Sequence, residues 1–188
     1  MVRTNAGFRW SLAIGAVVAA LVPFTSSPAF GAEPGSTGPR VAAADKVCLK
    51  AYMQKRGWQG EQCAPAGRAA TVGGAGQGLR MEALTMSVGG SGFCAAGYVQ
   101  DSGWQPWACA AAGGHLTVGT AGKNKRLEAV SYRVQTGVLC GNSYVQNVGW
   151  NKNWYCGADG KTNAIGTTGQ NKHMEAVSFQ VCRSVKNC

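Results

Sequence analysis

The chain has 188 residues, of which 28 are glycine and 14% are charged, and its formal net charge at neutral pH is +10. That length holds one domain or a run of small repeats, and so few charges exclude long surface helices laced with Glu/Lys pairs. The positive balance favours acidic partners such as anionic wall polymers, membrane surfaces or nucleic acid, and by itself fixes neither fold nor activity.

Arg3 and Arg9 precede an apolar run from Leu12 to Phe24, and small residues follow through Ala29 and Gly31. The pattern predicts a secretory signal peptide over residues 1–31, since the apolar run is too short and too Pro-terminated for a membrane span. Residues 32–45, AEPGSTGPRVAAAD, are small and polar with two prolines and are expected to form a flexible N-terminal tail. The mature protein is therefore expected to be secreted, extracellular and without a membrane span.

Everything after the tail, residues 46–188, repeats. Cys48, Cys94 and Cys140 are spaced by 46 residues, and Trp58, Trp104 and Trp150 keep the same spacing. Tyr52, Tyr98 and Tyr144 are each followed by Gln54, Gln100 and Gln146 and then by a Gly-Trp pair, and a second cysteine stands at 63, 109 and 156. The units close on GLRMEALTMSV, NKRLEAVSYRV and NKHMEAVSFQV, each preceded by a glycine at 76, 122 or 169. Three units follow, about 48–93, 94–139 and 140–188.

The motifs YVQDSGW with GTAGKNKRLEAVSY in the second unit, and YVQNVGW with GTTGQNKHMEAVSF in the third, resemble the ChW (clostridial hydrophobic, conserved Trp) repeat of secreted bacterial proteins. The first unit departs from the pattern, reading YMQKRGW and GGAGQGLRMEALTM, without the threonine after the first glycine. The resemblance covers roughly residues 48 to 181. It implies a secreted or surface-attached, non-catalytic module that binds wall or carbohydrate ligands, and it assigns no set of binding residues.

Independently of that family, alternation in the second closing segment puts Glu128, Val130, Tyr132 and Val134 on one strand face and Leu127, Ala129, Ser131 and Arg133 on the other. The segments Tyr98–Gln100 and Trp104–Cys109 suit a hairpin, and Leu116–Val118 supplies a further strand. About four strands per unit predict a closed all-β body with pseudo-threefold symmetry, a β-prism in preference to a β-trefoil, each unit forming its own small sheet. The first cysteine of each unit falls just before one strand of the hairpin and the second just after the next. Repeat symmetry then pairs Cys48 with Cys63, Cys94 with Cys109 and Cys140 with Cys156, leaving Cys182 and Cys188 to close a C-terminal loop. No close CxxC pair exists, and GGAGQG at 73–78 lacks the Lys-Ser/Thr ending of a phosphate loop, so neither a metal nor any other cofactor is expected.

Glu82, Glu128 and Glu175 recur on the apolar face, where a carboxylate needs partners; backbone N–H groups of the nearby Gly-rich turn or the indole of the same unit's tryptophan are the expected donors. Carboxylates at symmetry-related positions do not make the two-carboxylate cleft of a hydrolase, and His115 and His173 fall in no nucleophile motif, so the protein is not expected to be an enzyme. The recurring Trp58, Trp104 and Trp150 are expected in the core near the symmetry axis. Trp107, Trp154 and Tyr155 are absent from the first unit and are the candidate stacking surface, with Lys123, Asn124, Asn171 and Lys172 in polar turns as candidate hydrogen-bonding residues. The leading function is a carbohydrate or cell-wall-binding module. The alternatives are an adaptor subunit of a secreted multiprotein assembly, engaging a partner protein through the N-terminal tail, and a secreted enzyme inhibitor. With no basic run interleaved with aromatics, nucleic acid is not an expected partner.

Overall fold

The computed structural model describes residues 45–184; the signal peptide, the tail up to residue 44 and Cys188 lie outside the described residues. The first unit contributes β1 (Lys46–Met53), β2 (Gly57–Trp58), β3 (Gln62–Pro65), β4 (Ala69–Gly73) and β5 (Met81–Val88). The second contributes β6 (Phe93–Val99), β7 (Gly103–Trp104), β8 (Ala108–Ala110), β9 (His115–Gly119) and β10 (Leu127–Val134). The third contributes β11 (Val138–Val145), β12 (Gly149–Trp150), β13 (Tyr155–Ala158), β14 (Asn163–Gly166) and β15 (Met174–Cys182). Among the described residues there is no helix. The strand count exceeds the expected dozen because the return arm of each hairpin is broken into two short strands.

The strands form three antiparallel sheets. The first runs β2-β1-β5-β9 with β3 also on β1, the second β7-β6-β10-β14 with β8 on β6, and the third β12-β11-β15-β4 with β13 on β11. This corrects the expectation that each unit makes its own sheet. The fourth strand of every unit leaves it and pairs with the closing strand of a neighbour, so that β9 lies on β5, β14 on β10 and β4 on β15. The last of these pairs joins the first unit to the third and closes a ring, giving the prism-like, pseudo-threefold body.

Two glycine positions per unit make the exchange possible. Before the fourth strand, Gly67, Gly113 and Gly160 take positive φ and donate their N–H groups to the carbonyls of Val181, Val88 and Val134, at the ends of the neighbours' closing strands. At the end of that strand, Gly73, Gly119 and Gly166 press on the neighbour's glutamate: a Cβ on any of them would lie 2.2 to 2.3 Å from the carbonyl oxygen of Glu175, Glu82 or Glu128. Only a residue without a side chain fits there.

Side chains on the inner faces of all three sheets fill one core, in which Leu49, Met53, Leu84, Phe93, Tyr132 and Phe179 are fully buried. Tyr132 and Phe179 meet edge to face at 5.0 Å, tying the second unit to the third. The disulfides Cys48–Cys63, Cys94–Cys109 and Cys140–Cys156 are the expected ones. The cysteines sit inside the strands, directly opposite one another, not beyond the strand ends. Each closes a loop worth roughly 3 kcal/mol in the chain-entropy account. Cys182 is also disulfide-bonded.

Candidate functional site

The recurring tryptophans are not in the core. Trp58, Trp104 and Trp150 are 40%, 46% and 39% exposed, each meeting its own unit's tyrosine edge to face. Register explains this: Trp58 is the cross-strand partner of Tyr52, Trp104 of Tyr98 and Trp150 of Tyr144. Ala51 and Met53 on either side of Tyr52 point into the core, so Tyr52 and its partner must point outward. Each sheet thus carries a Tyr-Trp pair on its outer face.

What lies beside that pair differs between sheets. In the second sheet the outer-face residues in line across three strands are Ala96, Ser131 and Ala164. The corresponding residues are Lys50, Thr85 and Thr117 in the first sheet, and Asn142, Ser178 and Thr71 in the third. Lys50 extends its ammonium over the Trp58 ring, 5.4 Å from the centroid, and Asn142 donates to the carbonyl of Asn151 at 3.1 Å, so those two faces are filled by their own side chains. Over the second sheet the small residues leave a groove of about 490 Å³ lined by Ala96, Trp104, Gln105, Trp107 and Ser131. Trp107 is 42% exposed, and the Arg133 guanidinium lies 5.0 Å from its ring centroid, which holds the indole in place. The Gln105 side-chain amide is engaged at both ends by the backbone of Gly119, accepting at 2.7 Å and donating at 3.2 Å, which fixes the strand-end geometry beside the groove.

Of the three aromatics expected to form a stacking surface, Trp107 alone lines this groove, and the recurring Trp104, expected in the core, stands beside it. Trp154 and Tyr155 are exposed at the start of β13 and are not among the groove's lining residues. Ala96 and Ser131 complete the groove. The signal for Ala96 was present in the comparison of Lys50, Ala96 and Asn142 at one repeat position.

Lys123, Asn124, Asn171 and Lys172 lie elsewhere, in the Gly-rich turns at the junctions between units. There the recurring glutamates are buried as expected, each less than 4% exposed. The backbone N–H groups that reach them belong to the neighbouring unit's turn, Asn124 to Glu82 and Gly78 to Glu175, both at 3.2 Å. The tryptophan indoles take no part. The dominant partner is an arginine two residues earlier: Arg80 donates twice to Glu82, at 3.0 and 3.2 Å, and Arg126 donates to Glu128 at 2.6 Å. The same guanidinium groups reach across the seam, Arg80 to the side-chain oxygen of Asn124 and Arg126 to that of Asn171 at 2.8 Å. Asn124 and Asn171 are therefore structural latches. In the third unit His173 replaces the arginine, with Nε2 3.7 Å from Glu175 and without a hydrogen-bond partner. Burial holds the His173 pKa below its ordinary value, Glu175 opposes that shift, and Arg126 and Arg80 add to it.

Among the described residues the one trio of side chains close enough to hold a metal is Cys48, Glu61 and Cys63, and its two sulfurs are joined in a disulfide. They offer no thiolate to an ion.

The profile of the Clostridial hydrophobic W family matches residues 98–135 and 144–181, in the second and third units. Two adjacent repeats of the chain thus carry that family's signature, and the first unit shares their strand order and disulfide outside the match. No curated protein and no solved structure matches the chain.

Proposed function

We propose that the protein is a secreted, non-catalytic binding module for carbohydrate or cell-wall ligands, and that it receives a sugar ring in the groove on the outer face of the second sheet. The observation that carries this reading is the pair Trp104 and Trp107, two exposed indoles beside a floor of Ala96 and Ser131. Flat apolar walls beside a small-residue floor suit the C–H face of a pyranose, and the groove volume is in the range of small-ligand sites. The structural disulfides suit an oxidising, extracellular compartment. A non-catalytic role is supported by the use of Glu82 and Glu128 as buried partners of arginine, which leaves them no part in a cleft.

The test is a glycan and wall-polymer array probed with the mature protein, followed by two variants. Trp107→Ala is expected to weaken capture by about thirtyfold, since truncating a stacking hot spot costs about 2 kcal/mol or more. Ala96→Lys, which installs the residue of the first unit, is expected to fill the groove and abolish capture while the protein stays folded. Capture by both variants at the wild-type level overturns the assignment of the groove.

A further inference from the structure

The ring has three seams, and two of them are closed by the same latch: a guanidinium that bonds a buried glutamate on its own unit and an asparagine on the next. At the seam between the third unit and the first, both halves of the latch are missing. The arginine position holds His173, and the asparagine position holds Gly78, although these residues come from opposite ends of the repeat region. Gly78 keeps the left-handed conformation that Asn124 and Asn171 adopt, with φ of 65° against 61° and 56°, so the turn itself is unchanged and only the side chain is absent. A Cβ at Gly78 would meet nothing within 4 Å.

The result is an open notch of about 440 Å³, whose lining includes Gly76, Gly78, Tyr144, Gln146, Asn147 and Glu175. Glu175 is its buried end. That carboxylate accepts the Gly78 N–H at 3.2 Å, and the nearest cationic candidate is His173 at 3.7 Å. A buried carboxylate without a well-placed cation is costly, and the two sister seams give the molecule's own solution to that cost. The Tyr144 ring forms a wall of the notch, a surface on which a planar cation stacks. The groove over the second sheet shares none of these residues.

We propose that the notch between the third and first units is a binding site for a guanidinium group, the arginine side chain of a peptide or protein partner, which takes the place that Arg80 and Arg126 fill at the other seams. Glu175 receives the charge, as Glu82 and Glu128 do, and the amide groups of Gln146 and Asn147 at the rim offer acceptors for the remaining N–H groups.

The experiment is an amide-resolved NMR titration of the mature protein with Nα-acetyl-arginine amide, with the citrulline amide as the neutral isostere. Saturable shifts are expected at Gly76, Gly78, Gln146 and Gly149 with the arginine probe, and an affinity lower by about tenfold or more with citrulline, the loss of one charge-assisted bond. His173→Arg and Gly78→Asn each restore one half of the latch and are expected to weaken arginine binding by a similar factor. Because these residues already occupy the same positions in the sister units, the variants are expected to remain folded, and glycan capture by the Trp107 groove to be unchanged. Absence of shifts at these amides with the arginine probe, equal response to citrulline, or undiminished binding by both variants overturns the proposal.

Discussion

Gly119 and Glu82 belong to different units, and the backbone of one is pressed so closely on the other that a Cβ at 119 would lie 2.3 Å from the Glu82 carbonyl oxygen. Thr120 N–H, the next donor along, bonds that same oxygen at 2.7 Å. The equivalent bonds from Gly74 to Glu175 and from Thr167 to Glu128 make this contact the common element of all three seams.

Gly119→Ala is therefore expected to lower stability by more than Gly113→Ala. Both residues have positive φ, 89° and 74°, a conformation whose cost for a side chain is about 1–3 kcal/mol. At Gly113 a Cβ would meet nothing within 4 Å, so that conformational cost is the whole of the effect; at Gly119 the backbone clash is added. Urea midpoints of the two variants measure the difference, and equal losses would remove the close approach from the account.

Glu128→Gln is expected to destabilise by about 1.5–3 kcal/mol, the contribution of a charge-assisted bond to a buried acceptor, because Arg126 at 2.6 Å is left without its countercharge. The double replacement Arg126→Met with Glu128→Leu is expected to cost less than the sum of the single changes, since removing both charges leaves none stranded. Thermal unfolding of Glu128→Gln checks the first statement, and the four proteins of the Arg126→Met and Glu128→Leu double-mutant cycle check the second.

Stability is expected to fall in mild acid through His173. Its folded pKa is lowered by burial, with Glu175 opposing and Arg126 and Arg80 reinforcing the shift. The unfolded chain thus binds the proton more readily, and stability present above the unfolded value of about 6.5 is lost as pH falls through that value toward the folded one. Denaturation midpoints at pH 7.5 and pH 5.5 are expected to differ more for the wild type than for His173→Gln. An identical pH response in the two proteins would exclude this residue as the origin.

The repeat, the hairpin and its cysteine pairing were legible in the sequence because each depends on spacing within one unit. The destination of the fourth strand was not. Alternation in Leu116, Thr117 and Val118 says that one face is apolar, and it carries no mark of whose closing strand that face will meet. The exposure of the tryptophans has a related reason: recurrence does not imply burial, and the buried neighbours of Tyr52 assign the outer face to the tyrosine and hence to its partner Trp58. The phase of the glutamates in the closing strands points to burial, but each is also the residue skipped where the closing strand shifts register against the opening strand. Strict alternation therefore breaks there: Leu127, on the opposite face by that rule, is fully buried in the core with Val130 and Tyr132, and nothing in the phase marks Arg80 and Arg126 as the partners of Glu82 and Glu128. Neither the groove over Ala96 nor the notch beside Gly78 has a motif of its own. Each is a departure of one unit from its sisters, and becomes legible only when the three copies are compared position by position in the folded ring.

The pairing of β4 with β15 also makes every copy depend on the others. In an open solenoid a repeat can be gained or lost at either end with little effect on the others. Here every unit lends a strand to one neighbour and borrows one from the other, so deleting a unit removes a strand from a sheet that survives and strands one from a sheet that does not. Loss of a unit would thus change the strand partners of both units that remain. The units diverge in their outward-facing side chains, as Lys50, Ala96 and Asn142 do, while sharing this exchange of strands.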